Sequence, residues 1–103
     1  MPNNTKFFID FFKRETETNK NIANELLAKR DQAGFNDFNA MAEFYNNALQ
    51  QLEQNANADI YTMFETATCD IDCLLSTLED DYERPDLALM IITEVDGRKA
   101  VIN

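Results

Sequence analysis

The chain has 103 residues, with 19 acidic side chains against nine basic ones, and its net charge is −10. That length suits a single domain over residues 1–103, and a hydrophobic content of 45% is enough for a core, which argues against disorder. The charge disfavours direct binding to nucleic acid or to an anionic membrane surface, because phosphate groups would repel it.

Residue types that usually carry catalysis or bind metals are scarce. The chain has no His, and neither of its two glycines lies in a phosphate-binding loop motif. Cys69 and Cys73 could supply half of a zinc site across a dimer axis, but no other Cys or His is present to complete it within one chain. Two small, partly buried residues are the better interpretation. We therefore predict no enzymatic activity, no cofactor and no metal.

The N-terminal residues do not resemble a secretory signal. Asp10 interrupts their apolar stretch, and no small-residue cleavage site follows. No run of residues approaches the roughly 20 apolar residues that a membrane-spanning helix needs. We expect a cytoplasmic protein, located in the host cytoplasm if a phage encodes it.

A first helix is predicted to begin after Thr5, a residue that can cap it. Its apolar spacing lapses over the polar residues 13–21 and resumes at Ile22, so one long helix over residues 5–33 and two shorter helices both remain open. The absence of Gly and Pro from this segment favours one helix. Gly34 is expected to lie just beyond its end.

Two more helices are predicted from apolar spacing. Asn36 can cap the first of them, and Asn57 or Asp59 can cap the second. Apolar residues of the first recur every three or four positions: Phe38, Met41, Tyr45, Ala48 and Leu52. The second has the strongest pattern, because residues 60–78 keep helical spacing for about five turns. Pro85 prevents that helix from continuing.

The composition changes after Pro85 and indicates a β-hairpin. Residues 87–95 are apolar and rich in β-branched types, Asp96-Gly97 is a strong two-residue turn signal, and residues 98–102 complete a second strand. The predicted fold class is therefore mainly α (α+β): a small bundle of three or four helices with a C-terminal β-hairpin, its strands at about residues 87–95 and 98–102.

The acidic charge is unevenly distributed along the chain. Residues 1–30 carry +2, residues 31–94 carry −13 and residues 95–103 carry +1. No Lys or Arg occurs between Arg30 and Arg84, whereas the surface of a soluble protein normally mixes both signs. Solubility alone does not require such a base-free stretch.

Part of this charge is predicted to form a row on one helix. At 100° per residue, Glu65, Asp72, Glu79 and Glu83 fall on one face, opposite the apolar stripe. A solvated helix face is the alternative, and the two interpretations carry similar weight. Tyr82 is the aromatic residue most expected at an interface, because acids surround it. The candidate partner-binding residues are Glu65, Asp70, Asp72, Glu79, Asp80, Asp81, Tyr82 and Glu83.

In size and charge the chain is similar to the small acidic inhibitors that phages and mobile elements carry, which include DNA mimics and anti-CRISPR proteins. The resemblance covers composition alone. It implies a non-enzymatic inhibitor that docks its acidic helix face on the basic site of a nucleic-acid-handling protein. One alternative is an immunity or antitoxin protein for a basic toxin. Another is a homo-oligomeric regulatory module, such as a homodimer, that uses the hairpin and the Phe7–Phe12 face as contacts.

Overall fold

The computed structural model describes the backbone of residues 4–102 and the side chains of residues 4–100. This part of the chain contains five helices and no strand: α1 (Thr5–Ala28), α2 (Gln32–Gln54), α3 (Ile60–Glu65), α4 (Ile71–Asp80) and α5 (Pro85–Ile102). The helices fall into two compact units. Residues 4–58 contain α1 and α2, and residues 59–102 contain α3, α4 and α5. The expectation of one domain over residues 1–103 stays a prediction.

The polar middle of α1 does not interrupt the helix. Thr16 donates its hydroxyl proton to the Phe12 carbonyl oxygen at 2.7 Å, and the Asn19 side-chain amide donates to the Glu15 carbonyl oxygen at 2.8 Å. Glu15 and Asn19 are both buried. The Thr16 hydroxyl and the Asn19 amide thus find acceptors on the backbone of the same helix, so these polar side chains are compatible with a continuous helix. Of the two possibilities left open by the sequence, one helix is the correct one.

The turn between α1 and α2 comes earlier than predicted. After Ala28 the chain passes through Arg30, whose φ of 62° lies in the left-handed region. The Arg30 amide donates to the Leu27 carbonyl oxygen at 3.0 Å, and the Asp31 amide donates to the Leu26 carbonyl oxygen at 2.8 Å. These two bonds form a Schellman motif, with arginine at the position that glycine usually occupies.

The start of α2 differs from the prediction for a related reason. Asp31 accepts a hydrogen bond from the Gly34 amide at 2.9 Å and caps the helix. α2 therefore begins directly after Asp31, and Gly34 and Asn36, the two residues predicted to lie at helix ends, are both inside it. The predictions that Gly34 follows a helix end and that Asn36 caps α2 were wrong, because an earlier aspartate does the capping.

The core between α1 and α2 is rich in aromatic rings. The Phe11 and Tyr45 rings meet edge to face at 5.4 Å between centroids, and the Phe12 and Phe44 rings do so at 6.3 Å. The buried apolar residues of this unit are Phe8, Phe11, Phe12, Ala23, Ala42, Tyr45, Ala48 and Leu52. Three of the four clustered phenylalanines are thus core residues with no exposed surface, and Phe7 is half-buried.

The single helix predicted over residues 60–78 is wrong, because the chain forms α3 and α4 instead. The hydroxyl of Thr66 donates to the Thr62 carbonyl oxygen at 2.8 Å where α3 ends. Asp70 then accepts from the Asp72 amide at 3.0 Å and caps α4. The apolar spacing misled because residues on both sides of the break are buried: Met63, Phe64, Leu74, Leu75 and Leu78.

The predicted C-terminal hairpin is also wrong, because residues 85–102 form the helix α5. The buried residues Leu87, Ala88, Ile91 and Val95 are spaced along one helical face. Pro85 occupies the first helical position, where its missing N–H costs nothing. Burial against α3 and α4 outweighs the local Asp96-Gly97 turn signal.

Gly97 provides a direct test of helix against hairpin. It lies inside α5, and no atom comes within 4 Å of the position of an added Cβ. Gly97→Ala should raise the free energy of unfolding by about 0.5–1 kcal/mol, because alanine loses less backbone entropy in a helix. In a type I′ turn the same change would destabilise the protein. Chemical denaturation measures the difference.

Gly34→Ala is the matched control for this test. An added Cβ at Gly34 would lie 2.6 Å from Asp31 Oδ2 and 2.9 Å from Leu26 Cδ1. The capping carboxylate must therefore move, which offsets the gain in helix propensity. Gly34→Ala should stabilise less than Gly97→Ala. Destabilisation by Gly97→Ala would contradict the helical assignment of α5.

Candidate protein interface

Arg98 on α5 neutralises several carboxylates of residues 59–102. Its guanidinium donates to Asp59 at 2.9 Å, to Glu65 at 3.4 Å and to Glu94 at 3.3 Å. It also lies 5.5 Å from the centre of the Tyr61 ring, at cation–π distance. Glu65, a predicted interface residue, is therefore part of an internal ion-pair cluster.

Asp59 is the most tightly bound carboxylate of this cluster. It caps α3 by accepting from the Tyr61 amide at 3.0 Å, and it accepts the Thr62 hydroxyl at 2.9 Å. Partial burial pushes the pKa of Asp59 upward, but the hydrogen bonds from Arg98 and Thr62 and the Arg98 charge outweigh it. The pKa of Asp59 therefore lies below its ordinary value of 3.8.

The second arginine of this unit also binds a carboxylate. Arg84 Nε and Nη2 donate to the two oxygens of Asp86 at 3.0 and 2.9 Å, a forked arrangement. The hydrogen bond from Arg84 lowers the pKa of Asp86. Residues 59–102 hold eleven acidic side chains and three basic ones, for a net charge of −8. Two of those three bases are thus engaged within the unit.

The acids of residues 79–83 have no such cation. This acidic segment comprises Glu79, Asp80, Asp81, Tyr82 and Glu83, and its four carboxylate residues are all exposed. None of these four makes an ion pair with any side chain in residues 4–100. Glu79 and Asp80 end α4, and Asp81 follows as its C-cap. Negative charge is unfavourable there, because the carbonyl end of a helix is itself negative.

Glu83 adds a second local cost. Its φ is 53°, in the left-handed region that favours glycine. The next residue, Arg84, donates its amide to the Leu78 carbonyl oxygen at 2.9 Å, which closes the end of α4. A left-handed residue other than glycine costs about 1 kcal/mol. The chain keeps an exposed, strained glutamate where glycine would fit better.

The other predicted interface residues are only partly brought together. Asp72 is exposed in the first turn of α4, seven residues before Glu79 and about 10 Å from it along the same helix. Asp70 caps α4, which gives it a structural role. The predicted row of Glu65, Asp72, Glu79 and Glu83 on one helix is wrong, because Glu65 belongs to α3 and Glu83 follows α4. Tyr82 is half-buried between exposed acids.

Sequence reasoning missed the ion-pair cluster of Arg98. Glu94 and Arg98 are four residues apart, a spacing that pairs charges on a helix. The predicted hairpin puts Glu94 and Arg98 on different strands, on either side of the Asp96-Gly97 turn, and so hides their helical spacing. Had residues 85–102 been treated as a helix, the Glu94–Arg98 pair would have been found from the sequence.

Cys69 and Cys73 are free thiols at the start of α4. Cys69 lies just before the capping residue Asp70, and Cys73 is exposed on the helix. Burial raises the pKa of the Cys69 thiol, and the nearby Cys73 and Asp70 raise it further. Among residues 4–100, no three Cys, Asp or Glu side chains are grouped as a metal ion would require.

Replacing Arg98 tests the ion-pair cluster. Arg98→Ala should lower the melting temperature more than Arg84→Ala does, because Arg98 joins α3 to α5, whereas Arg84 binds a residue two positions away. Arg98→Lys should give an intermediate loss, since an ammonium group cannot fork across several carboxylates. Thermal unfolding followed by circular dichroism measures all three. Equal losses for Arg98→Ala and Arg84→Ala would contradict the account.

The lowered pKa of Asp59 predicts a pH dependence. A carboxylate with a depressed folded-state pKa stabilises the protein above its unfolded pKa, and this stabilisation is lost as pH falls through the folded value. Asp59→Asn keeps a capping side chain but removes the charge. Its melting temperature should be below that of the unmodified protein at pH 6, and the difference should shrink as pH falls below 3.8. A constant difference would contradict the lowered pKa.

In the part of the chain that the structure describes, no helix combines the length and apolar character needed to cross a membrane. The chain matches no protein-family model, and neither the curated proteins nor the solved structures include one that is significantly similar to it.

Proposed function

We propose that this is a non-enzymatic binding protein that docks the acidic segment, together with Asp72, on a basic site of a nucleic-acid-binding protein. The observation that carries the proposal is that the arginines of residues 59–102 pair with some of the carboxylates of this unit and not with others. Arg84 and Arg98 bind other carboxylates, whereas the four acids of residues 79–83 stay exposed and without an ion pair in the described chain. A partner rich in Arg and Lys would supply the missing charge.

The cost of the acidic segment argues against a merely solvated surface. Each acid at the carbonyl end of α4 costs about 0.3–1 kcal/mol, and the left-handed Glu83 adds about 1 kcal/mol. Solubility does not need acids at these positions, since exposed positions elsewhere would carry them without that cost. Residues 4–58 have a net charge of only −2, so the excess is concentrated in the unit that contains the segment.

The proposed mechanism is competition for a basic groove. Carboxylates on α4 and in the segment after it would occupy Arg and Lys side chains that otherwise contact phosphates. Association would be fast, because the charges attract over a distance, and salt would weaken it. Tyr82 could add apolar contact at the centre of the acidic segment, where aromatic side chains contribute most to binding.

Charge reversal tests the proposal after a partner has been captured from a lysate of the native host. Glu79→Lys with Asp81→Lys should weaken binding by roughly a hundredfold, because two attractive charges become repulsive. The fold should be retained or slightly stabilised, since lysine suits the end of a helix. Calorimetric titration measures binding and thermal unfolding measures the fold.

A control with the same change of net charge is available on α1. Asp10→Lys with Glu17→Lys also replaces two exposed acids by lysines. It should leave partner affinity within about threefold of the unmodified protein, because only the long-range field changes. If both double variants weaken binding equally, net charge rather than the acidic segment determines affinity.

Competition by nucleic acid separates this function from the immunity or antitoxin alternative. Double-stranded DNA or RNA should displace the protein from its partner, because both would occupy one basic site. Raising salt from about 0.05 M to about 0.5 M should also weaken the complex strongly. A complex that resists both salt and nucleic acid would support recognition of a toxin by other contacts.

A further inference from the structure

We draw no further inference here: the strongest candidate, the group of half-buried apolar side chains beside the exposed Leu27 at the turn between α1 and α2, carries nothing, because nothing in the structure shows what covers it.

Discussion

The guanidinium of Arg98 and the carboxylates around it are the interaction on which residues 59–102 depend. This unit holds eleven acids and three bases, so its folding brings like charges close together, and their repulsion opposes folding unless some of them are neutralised. Arg98 contacts Asp59 at the start of α3 and Glu65 at its end, and so fixes a helix of only six residues to α5. A helix that short is not stable alone.

With both arginines bound to other carboxylates, the four acids of the acidic segment make no ion pair with a side chain of residues 4–100. Arg84 is adjacent to residues 79–83 in sequence, yet its guanidinium forks onto Asp86. These four acids lie at or just after the end of α4, where the negative end of the helix dipole disfavours them. One of them, Glu83, also has a left-handed backbone conformation. Strained backbone residues cluster at binding and switch regions of proteins. The proposed docking of a basic partner explains both.

Local sequence signals succeeded where burial and capping agreed with them. The spacing of Tyr45, Ala48 and Leu52 predicted a helix and its buried face, because these residues are buried on one face of α2, although the predicted start of that helix was wrong. The break between α3 and α4 escaped notice, since capping by Asp70 leaves the apolar spacing unchanged on either side. Asp96-Gly97 failed as a turn signal, because burial of Ile91 and Val95 and the pairing of Arg98 are non-local. Of the predicted site, the acids after residue 78 remain one exposed group, whereas Glu65 is engaged elsewhere.

On the proposed function, the acidic segment lowers the stability of the fold and in return binds a basic partner. Two residues with a positive φ allow a matched test of this relation. Glu83→Gly and Arg30→Gly both relieve a positive φ, one inside the segment and one in the other unit. Each should raise the free energy of unfolding by about 1 kcal/mol. Titration against the basic partner should then show weaker binding for Glu83→Gly and unchanged binding for Arg30→Gly. Unchanged binding by a stabilised Glu83→Gly variant would contradict the account.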